Sequence, residues 1–123
     1  MSWPKTQNKY GNHKVTLGGL KFDSKKEAER YFILKDKEKR GEISHLARQV
    51  KFTLIPHQRE EIDGEVITEQ EWAYFADFVY RKDGKLVVED VKGYRNPSDA
   101  AYRCFVHCRK MMLQKYKIKV KEI

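Results

Sequence analysis

Residues 74–93 read YFADFVYRKDGKLVVEDVKG, and the reading of this stretch decides the fold. Aromatic and β-branched residues favour extended backbone up to Tyr80, and Asp83-Gly84 is a pair that tolerates the positive φ angles of a two-residue hairpin turn. The stretch therefore predicts a strand from Glu71 to Arg81 and a second, from Lys85 to Lys92, returning antiparallel to it. Side chains alternate across a strand, so Leu86, Val88, Asp90 and Lys92 share one face, and Val87, Glu89 and Val91 share the other. Glu89 is accordingly expected to face solvent. Asp77 stands mid-strand among apolar neighbours, where an unpaired carboxylate is costly and aspartate is a depleted residue type.

Upstream, HKVTLGGLKF from His13 to Phe22 alternates around Gly18-Gly19 and predicts a short hairpin. Ser24-x-x-Glu27 is a capping box, followed at helical spacing by Ala28, Tyr31, Phe32 and Leu34, with Gly41 as the residue that ends the helix. The apolar stripe is centred between Ala28 and Tyr31, so Glu27 lies at its edge and Glu29 faces water. The next strand runs from Gln49 to Ile55 and is closed by Pro56. Residues 57–69, HQREEIDGEVITE, are strongly charged around the turn pair Asp63-Gly64 and read as an exposed connection or a polar strand extension.

Beyond the opening stretch, the loop YRNPSD leads into a second helix from about Ser98 to Tyr116. Its apolar side carries Ala101, Cys104, Phe105, Cys108, Met111 and Met112, and its opposite side shows Arg103, His107, Lys110 and Gln114. An alternating strand from Ile118 to Ile123 closes the chain. Residues 1–12 are polar and basic, with Pro4 and Gly11, and read as a mobile arm whose Trp3 and Tyr10 could stack on bases; residues 13–123 form one domain.

The length of 123 residues suits a single hydrophobic core, and 26 Lys+Arg against 18 Asp+Glu leave a net charge of +8. That surplus attracts polyanions, nucleic acid first. No apolar run is long enough for a membrane span, and MSWPKTQNKYGNHK lacks the apolar core of a signal peptide, so a cytoplasmic protein without membrane attachment is expected. Cys104 and Cys108 exclude a disulfide framework; with no second Cys/His pair at ligand spacing, buried thiols are favoured over zinc. His13, His45 and His57 are isolated in sequence.

Hydrolysing a phosphodiester at neutral pH calls for a metal ion that polarises the phosphoryl oxygen and acidifies a water, and hard cations such as Mg²⁺ take carboxylate ligands. Asp77 and Asp90 on neighbouring strands can supply them, and Lys92 leaves the same face as Asp90, where its ammonium could hold the attacking water or offset developing charge. Without function, Asp90 and Lys92 make an ion pair near a strand end and Glu27 caps its helix.

The order helix, three strands, helix, strand, with an acid on the second core strand and an acid-x-Lys on the third, resembles the PD-(D/E)XK nuclease superfamily. Within it the chain is similar to small phage and prophage endonucleases of the Holliday-junction-resolvase-like kind, from about His13 onward. The departures are Ala76 in place of proline before Asp77, and Asp90 as the acid two before the lysine. The resemblance implies an α/β fold with a restriction-endonuclease-like α-β-β-β-α-β core, its mixed central sheet flanked by helices and preceded by the hairpin. It implies that Asp77, Asp90 and Glu27 ligate Mg²⁺, with Mn²⁺ as a possible substitute, and that Lys92 is the catalytic lysine. Gln49 is similar in position to a polar residue near the site in some members. The activity implied is endonucleolytic cleavage of DNA, branched or junction DNA included, to a 5′-phosphate and a 3′-hydroxyl. A homodimer and a phage or prophage origin in a bacterial host are further expectations, and Arg103, His107 and Lys110 become phosphate contacts. The alternatives are a catalytically inactive nucleic-acid-binding module on the same fold, and a phage structural or assembly protein.

Overall fold

The computed structural model describes residues 14–93 and 96–123. The arm at 1–12 with Trp3 and Tyr10, the histidine at 13, and the start of the loop after Gly93 lie outside the described residues. Two short strands, β1 (Val15–Leu17) and β2 (Leu20–Phe22), form the expected opening hairpin around Gly18 and Gly19.

Helix α1 spans Lys25–Lys39. Ser24 caps it, its Oγ accepting from the Glu27 N–H at 3.1 Å, while Glu27 Oε1 accepts the N–H of Asp23 at 3.2 Å, one residue before the reciprocal partner of a standard capping box. Arg40 closes the last turn and Gly41, at φ +77°, makes the left-handed exit that disfavours any residue with a Cβ. Ala28 and Leu34 are buried, and Glu29 is exposed as expected. Phe32 differs from the expected stripe: it is exposed, resting edgewise on Tyr31.

The central sheet has the order β3-β6-β7-β8, formed by β3 (Ser44–Ile55), β6 (Trp72–Lys82), β7 (Lys85–Asp90) and β8 (Lys121–Glu122). Its first two pairings are antiparallel and the last is parallel, so the chain is α/β with a mixed sheet and two helices. The intervening β4 (Gln58–Ile62) and β5 (Glu65–Glu69) pair with each other around Asp63 and Gly64, both at positive φ, so the charged segment is a hairpin of its own with every strand residue exposed. Helix α2 runs Ala100–Tyr116, capped by Asp99, whose Oδ1 accepts from the Tyr102 N–H at 3.0 Å.

Strand β6 is displaced by one residue from the expected Glu71–Arg81, and three other strands differ further from the expectation. Strand β3 starts five residues earlier than Gln49, because His45 and Gln49 have positive φ (57° and 52°) and a register shift falls between Ser44 and Ala47; these breaks erase the alternation that would mark a strand. Strand β7 ends at Asp90, but the Lys92 N–H still reaches Ile123 O at 3.1 Å, so the lysine stays tied to the sheet. Strand β8 is shorter than the segment 118–123.

Each sheet face is covered by a helix. Phe105, Cys108 and Met112 of α2 pack with Leu54, Tyr74, Ala76, Val79, Val88 and Val120. Leu34 of α1 packs with Ile43, Phe78 and Tyr80, and Tyr31 stacks on Phe78 at 6.2 Å. This double cover corrects the expectation for Glu89. Its face is not solvent but the α1 side of an inner strand, and the residue is fully buried. On α2, Ala101 and Cys104 are exposed, contrary to the expected stripe; Cys104 is about 100° round the helix from Phe105, off the sheet-facing side, and Ala101 is exposed in the first turn. Both thiols are free, and only Cys108 is buried.

The two cores also expose an irregularity that parity could not anticipate. Ala76 and Phe78 are two residues apart, as are Val50 and Arg48 opposite them, yet Ala76 and Val50 belong to the α2 core while Phe78 and Arg48 lie toward α1. The faces swap at Asp77 and at Gln49, whose φ of 52° is left-handed in mid-strand. A left-handed non-glycine inside a strand is a strained arrangement that the surrounding packing must hold.

Candidate metal centre and cleft

The face swap sets the site. Asp77 occupies the crossover, between the α1 side that carries Glu27 and the α2 side that carries Asp90 and Lys92. A cleft of about 210 Å³ is lined by Asp23, Ser24, Glu27, Asp77, Asp90 and Lys92 together with Val91 and Gly93. The four residues singled out from sequence thus line one cavity, although they come from α1, β6, β7 and the turn after it.

Each side chain is held. Asp77 Oδ2 accepts the Val91 N–H at 2.8 Å and Oδ1 accepts from Gln49 Nε2 at 3.1 Å. Gln49 therefore sits against the cleft, the placement that the resemblance implied for it. Tyr74 donates its hydroxyl to Asp90 Oδ1 at 2.8 Å, and Lys92 Nζ lies 2.6 Å from Asp90 Oδ2. The Lys92 ammonium also sits 3.9 Å above the Phe105 ring, whose negative face attracts a cation. Lys26 Nζ donates to Lys92 O at 2.8 Å, fastening the strand end to the first turn of α1.

The electrostatics of the cleft are those of crowded acids. Burial, opposed by the Val91 N–H and reinforced by the adjoining Glu27 carboxyl, pushes the Asp77 carboxyl up to about 7. Asp90 is raised by burial and by the Asp77 charge, against the pull of Lys92 and Tyr74. Burial also raises the Tyr74 phenol, which keeps its hydroxyl a donor to Asp90. Among the described residues no three His, Cys, Asp or Glu groups already stand as a ligand set. The oxygens of Asp77 and Asp90 are engaged with Val91, Gln49, Tyr74 and Lys92, all of them donors that a carboxylate accepts.

Residues 7–122 match the family described as Protein of unknown function (DUF1064). The chain belongs to this family. The match extends from before the opening hairpin through β8, so every residue lining the cleft falls inside it. Comparison with curated proteins and with solved structures returned no match.

Several residues that shape the site escaped the sequence reading. Arg30 grips Glu89 with two bonds, Nε to Oε1 at 2.8 Å and Nη2 to Oε2 at 2.6 Å, and the Tyr80 hydroxyl also donates to Glu89. Burial alone would raise the Glu89 carboxyl, but Arg30 and Tyr80 outweigh it and hold the group below its ordinary value. Arg30 lies three residues after Glu27 and Glu89 one before Asp90, so this pair ties the helix acid to the strand acid. The signal available was an arginine one turn from Glu27, at the stripe edge. Arg48 stacks 4.2 Å from the Phe22 ring centroid and comes within 3.9 Å of Glu27 Oε1, bringing a cation to the mouth of the site. The role of Tyr74 depends on the face swap and left no mark in the alternation pattern.

The basic stripe is present as expected, with Arg103, His107 and Lys110 exposed on α2. None of the three lines the acidic cleft, whose Lys92 meets α2 at the Phe105 ring. Arg103 Nη1 donates to Ser98 O at 2.6 Å, which orders its stem over the helix start. Among the described residues, no helix is long and apolar enough to cross a membrane.

Proposed function

We propose that the chain is a Mg²⁺-dependent endodeoxyribonuclease with a restriction-endonuclease-like core. The observation that carries this reading is the convergence of Glu27, Asp77, Asp90 and Lys92 on one cleft from separate elements. The element order α1, β3, β6, β7, α2, β8 supports the fold assignment, with the β4–β5 hairpin as an insertion between the first two core strands. The donor set fits a hard divalent cation: three carboxylates line a polar cleft, and an acid pushed up toward neutrality by burial and the adjoining Glu27 is one that a cation would relieve.

Asp77, Asp90 and Glu27 would hold the ion, which when bound supplies Lewis-acid polarisation of a phosphoryl oxygen and a more acidic water. Lys92 presents its ammonium at the cleft wall, close enough to Asp90 to share a water or a phosphate oxygen with it, and Phe105 keeps that ammonium from swinging away. Tyr74 and Gln49 orient the two aspartates by single hydrogen bonds, and Arg30 through Glu89 holds the β7 end in register with α1. The net charge of +8 and the Arg103, His107 and Lys110 stripe favour a DNA substrate approached through its phosphates.

The test is cleavage of linear, nicked, flapped and four-way DNA with and without Mg²⁺, comparing wild type with Asp77→Ala and Lys92→Ala. Metal-dependent cleavage lost in both variants supports the reading. Undiminished cleavage by purified Asp77→Ala protein sinks it.

A further inference from the structure

The β4–β5 hairpin is charged against the rest of the molecule. Residues 58–69 hold one arginine against five acids, a net charge of −4, which leaves +12 on the remainder of a chain whose total is +8. Pairing of Glu60 with Ile67 and of Ile62 with Glu65 places Gln58, Glu60, Ile62, Glu65, Ile67 and Glu69 on one face. On that face Ile62 and Ile67 sit diagonally side by side at 52% and 39% exposure, with glutamates around them. An isolated two-stranded hairpin is marginal in water, so docking this face on another surface would add to its stability.

Its complement lies on the same chain. Helix α2, AAYRCFVHCRKMMLQKY, contains no acidic residue. Beside it a cleft of about 410 Å³ is lined by the apolar Pro97, Tyr102 and Val106 and by the basic Arg103, His107 and Arg109, of which Arg109 is ion-paired with Glu122 at 3.0 Å. The hairpin springs from the sheet end where Lys115 and Tyr116 bond Thr53 O, whereas the cleft residues Tyr102 to Arg109 lie roughly 10–20 Å back along the helix axis. Every residue of β4 and β5 is exposed, so the hairpin does not sit in the cleft of its own molecule, and a second copy can take that place.

We propose that the acidic hairpin is a dimerisation arm that docks on the α2 cleft of a second copy of this chain, reciprocally about a two-fold axis. Nucleic acid is repelled by the arm's charge, and two arms repel each other, so the basic α2 face is the surface the arm fits. Arg103 and His107 are also phosphate contacts in the nuclease reading, so arm docking and duplex binding exclude each other. That consequence alone rests on the nuclease reading; the dimer does not.

Sedimentation equilibrium without nucleic acid tests it, with the wild type, Glu60→Lys/Glu65→Lys, Arg103→Glu/His107→Glu, and a mixture of the two variants. The wild type should dimerise at low salt and dissociate as salt is raised past about 0.1 M, where the screening length falls to about 10 Å. Each double variant should weaken dimerisation about tenfold or more, and the mixture should form heterodimers, because reversed arms meet reversed clefts. Circular dichroism checks that each variant is folded, and salt dissociation of the wild type stands whether or not they are. A wild type that stays monomeric at low salt, or folded arm variants that dimerise undiminished, overturns the proposal.

Discussion

Replacing Asp77 by Asn should make the metal-free protein more stable. The folded carboxyl is pushed from an ordinary 3.8 up to about 7, on the order of 4 kcal/mol between its two protonation states. Because the folded value is the higher one, the folded protein binds more protons than the unfolded chain between these pH values. The associated stability is present below about pH 4 and is lost as pH rises through about 7. Asparagine removes that loss and keeps an oxygen for the Val91 N–H, but gives up one of the two acceptor oxygens that Asp77 uses. Allowing for this and for partial solvent screening, a gain of about 1–3 kcal/mol is expected near pH 8, or roughly 4–12 °C in Tm for a domain of this size. Thermal and urea unfolding in a chelating buffer measures it. At about pH 4 the gain should shrink to below about 1 kcal/mol, since Asp77 is then already neutral in the fold. Loss of stability near pH 8, or an equal gain at both pH values, would refute the account of the cleft as crowded acids.

Three further outcomes are expected. Arg30→Ala leaves Glu89 buried without its cation and should cost about 3–5 kcal/mol in urea unfolding, whereas joint replacement of both residues by methionine should cost far less. With Arg30 intact, the Glu89 carboxyl is held below its ordinary value, so its contribution is present above the usual carboxylate range and lost only as pH falls through its lowered folded value; acid unfolding of the wild type and of a Glu89→Gln variant should differ there. Phe105→Ala empties the α2 core beside Tyr74 and removes the ring under Lys92, and should cost about 3–5 kcal/mol while releasing the ammonium, seen as altered chemical shifts of the Lys92 side chain.

Local rules carried much of the fold into the sequence. The turn pairs Asp83-Gly84 and Asp63-Gly64, the Ser24 cap and the Gly41 exit are each set by the φ preferences or hydrogen bonds of one or two residues, and each stands where the sequence put it. Strand parity along β7 held as well: Val88, Asp90 and Lys92 share the α2 side, and Val87, Glu89 and Val91 the α1 side. What parity could not say is what covers each side. Glu89 was expected in water because on a regular strand it faces away from Asp90, yet a buried charge is tolerable when a partner supplies matched donors, and Arg30 lies 59 residues away in sequence.

The amino-acid sequence by itself determined the kinds and order of the core elements, and singled out Glu27, Asp77, Asp90 and Lys92, which line one cleft. Only the tertiary structure decided that β3 begins at Ser44, that Glu89 is an internal anchor, and that Tyr74 and Arg48 attend the cleft. The physical reason is the crossover at Asp77 and Gln49. Alternation is a local rule that assumes an unbroken pleat, and a left-handed residue in mid-strand breaks it through packing that no short window of sequence contains.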